Sequence, residues 1–157
     1  MTTDPCVRFR PADPDFARRV HDSFALQGAM GTIGAHLVRV EPGLVEIGLP
    51  YSASITQQHG FVHAGIVSTA LDSACGYAAA TLMPADSGVL TTEFKSNLLA
   101  PAAGERFRIV GRVRKHGRTI TVAEGDAFAI DQAGREKPIA TMTATVMTIV
   151  GRAGVKN

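Results

Sequence analysis

The chain has 157 residues, 45% of them hydrophobic, and a formal net charge of +2 at pH 7. A hydrophobic share of this size excludes a disordered chain, and the length suits one domain, residues 1–157, built around a single core. The charge is too small to indicate a nucleic-acid partner.

The cysteines and the N-terminus predict the cellular compartment. The chain holds only two cysteines, Cys6 and Cys75, so a disulfide framework is not expected. The N-terminal residues lack the basic and then apolar order of a secretory signal. We therefore expect a cytoplasmic protein.

The N-terminal segment divides at Pro14. Residues 1–14 are polar and contain three prolines, which predicts a flexible arm with little regular structure. Asp13 is a favoured helix cap and Pro14 suits the first helical position, so residues 14–28 are predicted to form a helix. Its apolar residues recur at helical spacing, which predicts that it packs over one edge of the domain.

A β-hairpin is predicted for residues 30–50. Ile33, Ala35 and Leu37 alternate with other residues before a turn at residues 41–43, and apolar alternation resumes after the turn. A hairpin with one apolar face is expected to cover part of the core.

The apolar run from Ala64 to Met83 is the centre of the chain. It carries one charge, Asp72, and consists largely of small residues. A helix that is apolar on all sides is expected to be buried on all sides, and Pro84 cannot continue it. A membrane span is the competing interpretation, but the central charge and the scarcity of large apolar side chains argue against it.

Asp72 is the informative residue of this helix. A buried carboxylate is costly unless it is paired, opens onto a cavity or is protonated. Asp72 therefore either links the helix to a loop or serves as a base or nucleophile at the wall of a cleft.

Polar and small residues crowd into the loop at residues 51–62 and the start of the helix. Free N–H groups at a helix N-terminus suit a developing oxyanion, and Asp72 follows His63 by about two and a half turns. This combination is suited to acyl transfer. The crowded residues are Gln57, His59, Gly60, His63 and Gly65.

Four strands are predicted after the helix. In the first of them, alternation places Phe94, Ser96 and Leu98 on one face and Thr91 on the other. Threonines are frequent in the last two strands, which favours strand over helix. The predicted strands span residues 88–99, 106–114, 118–130 and 138–150, and the last seven residues are predicted to be a tail.

The residues His59, Gly60, His63, Gly65 and Asp72 form the pattern H-G-x-x-H-x-G followed by D, which resembles the helix-entry signature of hotdog-fold acyl-CoA thioesterases of the phenylacetate-pathway (PaaI-like) group. The segments TTEFKSNLLAPAAGERF and KHGRT are similar to later strands of that group. The resemblance covers residues 44–150 approximately. It implies an α+β hotdog fold, with an antiparallel sheet of about six strands wrapped around one long central helix and an extra N-terminal helix.

The resemblance also implies an activity, hydrolysis of an acyl-CoA, either aryl-acetyl or medium- to long-chain fatty acyl, to free acid and CoA. Asp72 would act as general base or nucleophile at a site between two protomers of a homodimer or homotetramer. The N–H of Ala64 or Gly65 would face the thioester carbonyl, although the common form of the signature has glycine where this chain has Ala64. No metal or organic cofactor and no membrane partner are expected.

Other site residues follow from the same resemblance. Gln57, where relatives often have asparagine, would orient water or the carbonyl, and Thr91 would help to place water. His63 would either contact the thioester or fix the loop by a hydrogen bond.

Binding of CoA phosphates is expected to fall on the main concentration of basic residues. Arginines alternate along residues 106–114, and guanidinium groups suit phosphate oxygens, although such a strand face could equally be solvated. The candidate substrate- and CoA-binding residues are His59, Gly60, Lys115 and Arg118.

Two other functions are compatible with the same pattern. A hotdog hydratase or dehydratase would use Asp72 and His63 as a proton-transfer pair, but the resemblance of the strand after the helix to thioesterases argues against it. A non-catalytic acyl-CoA binding module would reuse the pocket without chemistry, and the presence of Asp72 favours an enzyme.

Overall fold

The computed structural model describes residues 9–155, so Cys6, residues 1–8 of the predicted arm and residues 156–157 of the predicted tail lie outside it. The described chain forms three α-helices and six β-strands. The helices are α1 (Phe16–Ala25), α2 (Gly28–Ile33) and α3 (Ala64–Ala80), and the strands are β1 (His36–Glu41), β2 (Leu44–Pro50), β3 (Ser87–Leu98), β4 (Arg106–Lys115), β5 (Ile120–Ile130) and β6 (Glu136–Val150).

The six strands form one antiparallel sheet in the order β1-β2-β4-β5-β6-β3. Helix α3 packs on β2 and on each strand from β3 to β6, so the sheet wraps around it. The close approach depends on glycine: a Cβ on Gly111 of β4 would lie 2.3 Å from the carbonyl carbon of Ala74. The predicted arrangement of a sheet around one central helix is present.

The two ends of α3 are closed by side chains from other segments. At the N-terminus, His63 is the cap residue. At the C-terminus, Arg19 of α1 donates to the carbonyls of Ala80 and Met83 at 3.1 and 2.9 Å. The Ala80 carbonyl also accepts the Met83 N–H, but Pro84 has no N–H to donate to it, so Arg19 supplies hydrogen bonds that the end of the helix cannot make.

The N-terminal helix was predicted wrongly in its bounds, as was the start of the hairpin. Asp13 does not cap a helix at residue 14, because its Oδ1 accepts the Asp15 N–H at 2.9 Å and α1 begins two residues later, at Phe16. Helix α2 occupies the segment where the first strand was expected to start. Gly34, with φ of 74°, ends α2, and the hairpin begins at His36.

Residues 9–14 lie against the domain rather than extending from it as a flexible arm. Phe9 packs on the core, directly over Gly43 at the turn between β1 and β2. The N–H of Ala12 donates to the carbonyl of Leu82 at 3.4 Å.

Strand β3 contains a β-bulge between Thr91 and Glu93. The extra residue reverses the alternation, so Thr91 and Ser96 both point at α3, where they hydrogen-bond to Asp72 and Ser68. The prediction that Thr91 lies on the face opposite Ser96 was therefore wrong.

Candidate active site

Asp72 is the only residue between Ala70 and Ala80 of α3 that is partly exposed rather than buried. Its Oδ1 accepts a hydrogen bond of 2.7 Å from Thr91 Oγ1 on β3. Within residues 9–155, its Oδ2 has no hydrogen-bond donor. The carboxylate is thus held at one oxygen and available at the other.

A polar cleft of about 480 Å³ lies beside Asp72. Helix α3 and strand β3 form two of its walls, and the segment joining α1 to α2 forms the third. Its polar lining residues are Ser23, Gln27, Asp72, Ser73, Tyr77 and Thr91.

Two hydrogen bonds order the wall of this cleft. Ser73 Oγ donates to Gln27 Oε1 at 3.1 Å, and the hydroxyls of Ser23 and Tyr77 lie 3.1 Å apart. Burial raises the pKa of Tyr77, an effect that the hydrogen bond with Ser23 partly opposes, so its hydroxyl stays protonated at neutral pH.

Four of these lining residues were not predicted from the sequence. Ser73 and Tyr77 follow Asp72 by one and five positions on the same helix, so the helical repeat offered a signal. Ser23 and Gln27 offered none, because they reach the cleft only through the packing of α1 on α3.

His63 caps α3 and thereby uses one of its N-terminal donors. Its Nδ1 accepts the Gly65 N–H at 2.9 Å, and its carbonyl accepts from Ile66 and Val67. The ring proton must then lie on Nε2. In the described chain the Ala64 N–H has no acceptor, so it is the available donor at this helix end.

Gln57 lines a second, mainly apolar cavity of about 470 Å³, together with Ala64 and Leu98. Its Oε1 accepts the N–H of His59, so the side chain also orders its own loop. His59 and Gly60 are exposed on that loop, and Gly60 has a φ of 84°, a conformation that favours glycine.

The predicted site residues therefore fall into two groups. Gln57 and Ala64 line one cavity, with His59, Gly60, His63 and Gly65 around the helix entry, whereas Asp72 and Thr91 line the other. Asp72 lies eight residues beyond Ala64, about 12 Å along the helix axis. The two groups thus line different cavities.

The predicted phosphate-binding arginines on β4 are mostly engaged in ion pairs. Arg108 contacts Glu136 at 2.6 Å, Arg112 contacts Asp126 at 2.9 Å, and Arg114 contacts Glu124 at 3.3 Å. This supports the interpretation of a solvated strand face. Lys115 and Arg118 are exposed at the end of β4 and the following turn, and form no ion pair with any residue in the range 9–155.

Comparison with known proteins gives consistent matches. A family model, the thioesterase superfamily, matches residues 59–134. A thioesterase family protein from Silicibacter pomeroyi is 56% identical in sequence, with a TM-score of 0.85, and the alignment covers 87% of this chain and 99% of that chain. The E. coli PaaI protein from the phenylacetic acid degradation operon has the same fold, with a TM-score of 0.75 at 17% identity, covering 90% of this chain and 96% of that one.

An esterase-type protein of Saccharolobus solfataricus is 35% identical over 88 residues, which is 56% of this chain. The chain spans 62% of that relative and 63% of a second one from the same organism, less than two thirds of either.

A six-stranded antiparallel sheet wrapped around one long helix defines the hotdog fold of the thioesterase class. The chain belongs to the thioesterase superfamily. The resemblance to PaaI-like hotdog thioesterases and the predicted fold are thus confirmed. Among residues 9–155, no helix combines the length and apolar character that crossing a membrane requires.

Proposed function

We propose that the chain hydrolyses the thioester of an acyl-CoA to the free acid and CoA. The observation that carries this proposal is the hydrogen bond between Thr91 and Asp72, which fixes one carboxylate oxygen and leaves the other in a cleft of substrate size. A carboxylate held in this way can take part in acyl transfer without a metal or an organic cofactor.

Two routes use the same carboxylate. As a general base, Asp72 accepts a proton from water while the water oxygen attacks the thioester carbonyl. As a nucleophile, Asp72 attacks the carbonyl itself, CoA leaves as its thiolate, and water then hydrolyses the mixed anhydride. Both routes end in free acid and CoA, and both place negative charge on the carbonyl oxygen.

The Ala64 N–H is the proposed donor to that oxygen. It lies at the positive end of the α3 dipole, and no residue of the described chain accepts from it. The neighbouring Gly65 N–H is already bonded to His63, which assigns the imidazole a capping role in the proposal. Gln57, in the cavity beside Ala64, would orient the carbonyl or water.

The separation of the two groups of residues supports a site between protomers. Strand β3 is an edge of the sheet, and its apolar side chains are uncovered: Phe94 is 46% exposed and Leu98 is 58% exposed. In a two-fold dimer joined along this edge, the helix entry of one protomer would meet the Asp72 cleft of the other. The resemblance to hotdog thioesterases extends this proposal to a dimer of dimers in the cytoplasm.

CoA binding is proposed for two exposed segments, one at the end of β4 and one in the loop before α3. Lys115 and Arg118 supply cations that are free of ion pairs within the described range, and His59 and Gly60 supply a turn beside the helix entry. The proposed ligand chemistry is a phosphate group on the cations.

The activity is tested by thiol titration of CoA release from aromatic and C4 to C16 acyl-CoAs. Wild type should hydrolyse at least one substrate. The rate of CoA release should be lower by about 100-fold or more in Asp72→Asn, as expected when a positioned base is removed. Asp86→Asn, a change of an exposed aspartate in the turn before β3, is the matched control. Binding of acyl-CoA without release of CoA would instead identify a binding module.

The shared site is tested by mixing two variants. Ala64→Pro removes only the proposed donor, because proline suits the first position of a helix and His63 already has an extended backbone. Ala64→Pro and Asp72→Asn should each be nearly inactive. If the site lies between protomers, random mixing after subunit exchange should restore about a quarter of wild-type activity in dimers. No recovery in verified mixed dimers would place both groups in one protomer's site.

A further inference from the structure

Hydrogen-bonding side chains from α3, from α1 and from the segment joining α1 to α2 line the cleft beside Asp72. Gln27 and Ser73 form one pair, and Ser23 and Tyr77 form the other. Gln27 uses its Oε1 to accept from Ser73, and its Nε2 donates to no residue of the described chain. An amide donor is therefore available at the cleft wall.

The cleft has room for an acyl chain to extend from Asp72 to these groups. Gly76 lies one turn beyond Asp72 on the same face of α3, and a Cβ at this position would meet no heavy atom within 4 Å. The distance along the helix from Asp72 to Gly76 is about 6 Å, and the Ser23–Tyr77 pair lies at the same level.

The electrostatics indicate which arm of an acyl-CoA enters this cleft. A groove that shares Ser23 with the cleft contains three aspartates and two arginines. Both arginines are paired with aspartates, at 2.9 and 3.4 Å, so the groove has a net negative charge. A CoA nucleotide, which carries several phosphate charges, is disfavoured there, and the acyl arm is favoured.

Resting on the proposed thioesterase function, we infer that the preferred substrates carry a hydroxyl or carbonyl oxygen near the end of a short acyl group. Gln27 and Tyr77 are then specificity-determining residues. An unfunctionalised chain would remove these polar groups from water without replacing their hydrogen bonds, whereas a distal hydroxyl would pair with them. Sites built to bond a substrate hydroxyl discriminate strongly against the analogue that lacks it.

The test compares hexanoyl-CoA with 6-hydroxyhexanoyl-CoA, two thioesters that differ by one hydroxyl. In the wild type, kcat/KM should be at least about 10-fold higher for the hydroxylated substrate. Gln27→Leu and Tyr77→Phe should each lower this ratio several-fold, with the larger loss falling on the hydroxylated substrate. Gln132→Leu is the matched control, because Gln132 bonds to Glu105 at the turn between β5 and β6 and should not change the ratio.

Three results would overturn the inference. Hydrolysis of hexanoyl-CoA with a wild-type ratio near one would reject it and leave the proposed thioesterase function standing. An equal loss for both substrates in Gln27→Leu and Tyr77→Phe would assign the cleft to the CoA arm. Hydrolysis of neither substrate nor of any other acyl-CoA would reject the thioesterase proposal, and the inference with it.

Discussion

Thr91 Oγ1 donates a 2.7 Å hydrogen bond to Asp72 Oδ1, which joins β3 to α3 at the carboxylate. Thr91→Val keeps the shape of the side chain and removes the donor. We expect kcat to fall about 10- to 100-fold, because a hydrogen bond to a charged group contributes about 1.5–3 kcal/mol. Thr91→Ser should retain most of the activity. Equal losses in CoA release for the two variants would contradict a role for the hydroxyl.

His63 is predicted to act mainly as the cap of α3. His63→Ala should lower the free energy of unfolding by about 1 kcal/mol, because the Gly65 N–H loses its acceptor, whereas His63→Asn should restore a cap. Urea denaturation measures both changes. His63→Asn should also keep CoA release near the wild-type rate, and a stable but inactive His63→Asn would show that the imidazole contacts the substrate.

Gly111→Ala should destabilise the fold by about 1–3 kcal/mol or more, because the new methyl would press on the Ala74 backbone in the middle of α3. Gly31→Ala is the control. In α2 its Cβ would meet no heavy atom within 4 Å, so this change should be neutral or stabilise by up to about 1 kcal/mol. Similar losses for both variants in urea unfolding would contradict the close packing of α3 on β4.

The ion pair between Asp13 and Arg19 makes part of the stability depend on pH. Each side chain is 9% exposed, and the Arg19 hydrogen bond, helped by the Asp15 N–H, lowers the pKa of Asp13 below its usual 3.8. A lowered folded-state pKa gives stability that is present above the usual value and lost as pH falls through the folded value. Asp13→Asn should therefore lower the Tm at pH 7, and the difference from wild type should shrink below pH 3.8.

The control is Asp15→Asn, which removes an exposed ion pair with Arg18. The side chain of Asp15 is 71% exposed and that of Arg18 is 75% exposed. Exposed pairs contribute little, so its Tm should match wild type at both pH values. A Tm difference for Asp13→Asn that stays constant down to pH 2 would contradict the titration.

Cys75 should not react with thiol reagents in the folded protein. It is fully buried, and desolvation, with a smaller contribution from Asp72, raises its pKa to about 12. In a Cys6→Ser background, Ellman's reagent should label no thiol at pH 8 and one in concentrated guanidinium chloride. Rapid labelling of the native protein would indicate that α3 opens readily.

Much of the fold could be predicted, because composition and periodicity carried the information. The run of small apolar residues identified α3, and alternation identified the strands. Helix α2 could not be predicted, since Gly28, Gly31 and Thr32 disfavour a helix. It forms because burial of Met30 and Ile33 in the core stabilises it.

The site was predictable only in part. Asp72 was identifiable because a charge in an apolar helix requires an explanation, and Thr91 and Gln57 were named through the family resemblance. Their separation into two cavities depends on three-dimensional distances that the sequence pattern does not contain. Gln27 meets Ser73 across 46 positions of the chain, so no local signal pointed to it.

The bulge in β3 determines which residues of the strand lie on each face of the sheet. Before it, the odd-numbered residue Thr91 contacts α3, whereas after it the even-numbered Ser96 does so, with Phe94 and Leu98 on the same face of the strand as Ser96. If the residue at position 92 were deleted, the side chains on one side of the deletion would point to the opposite face of the sheet. Either Thr91 would then lose contact with Asp72, or the apolar residues of the edge would turn away. A substitution in β3 therefore changes one side chain, whereas an insertion or deletion changes the orientation of several. We expect related sequences to differ in the residues of β3 but to keep its length.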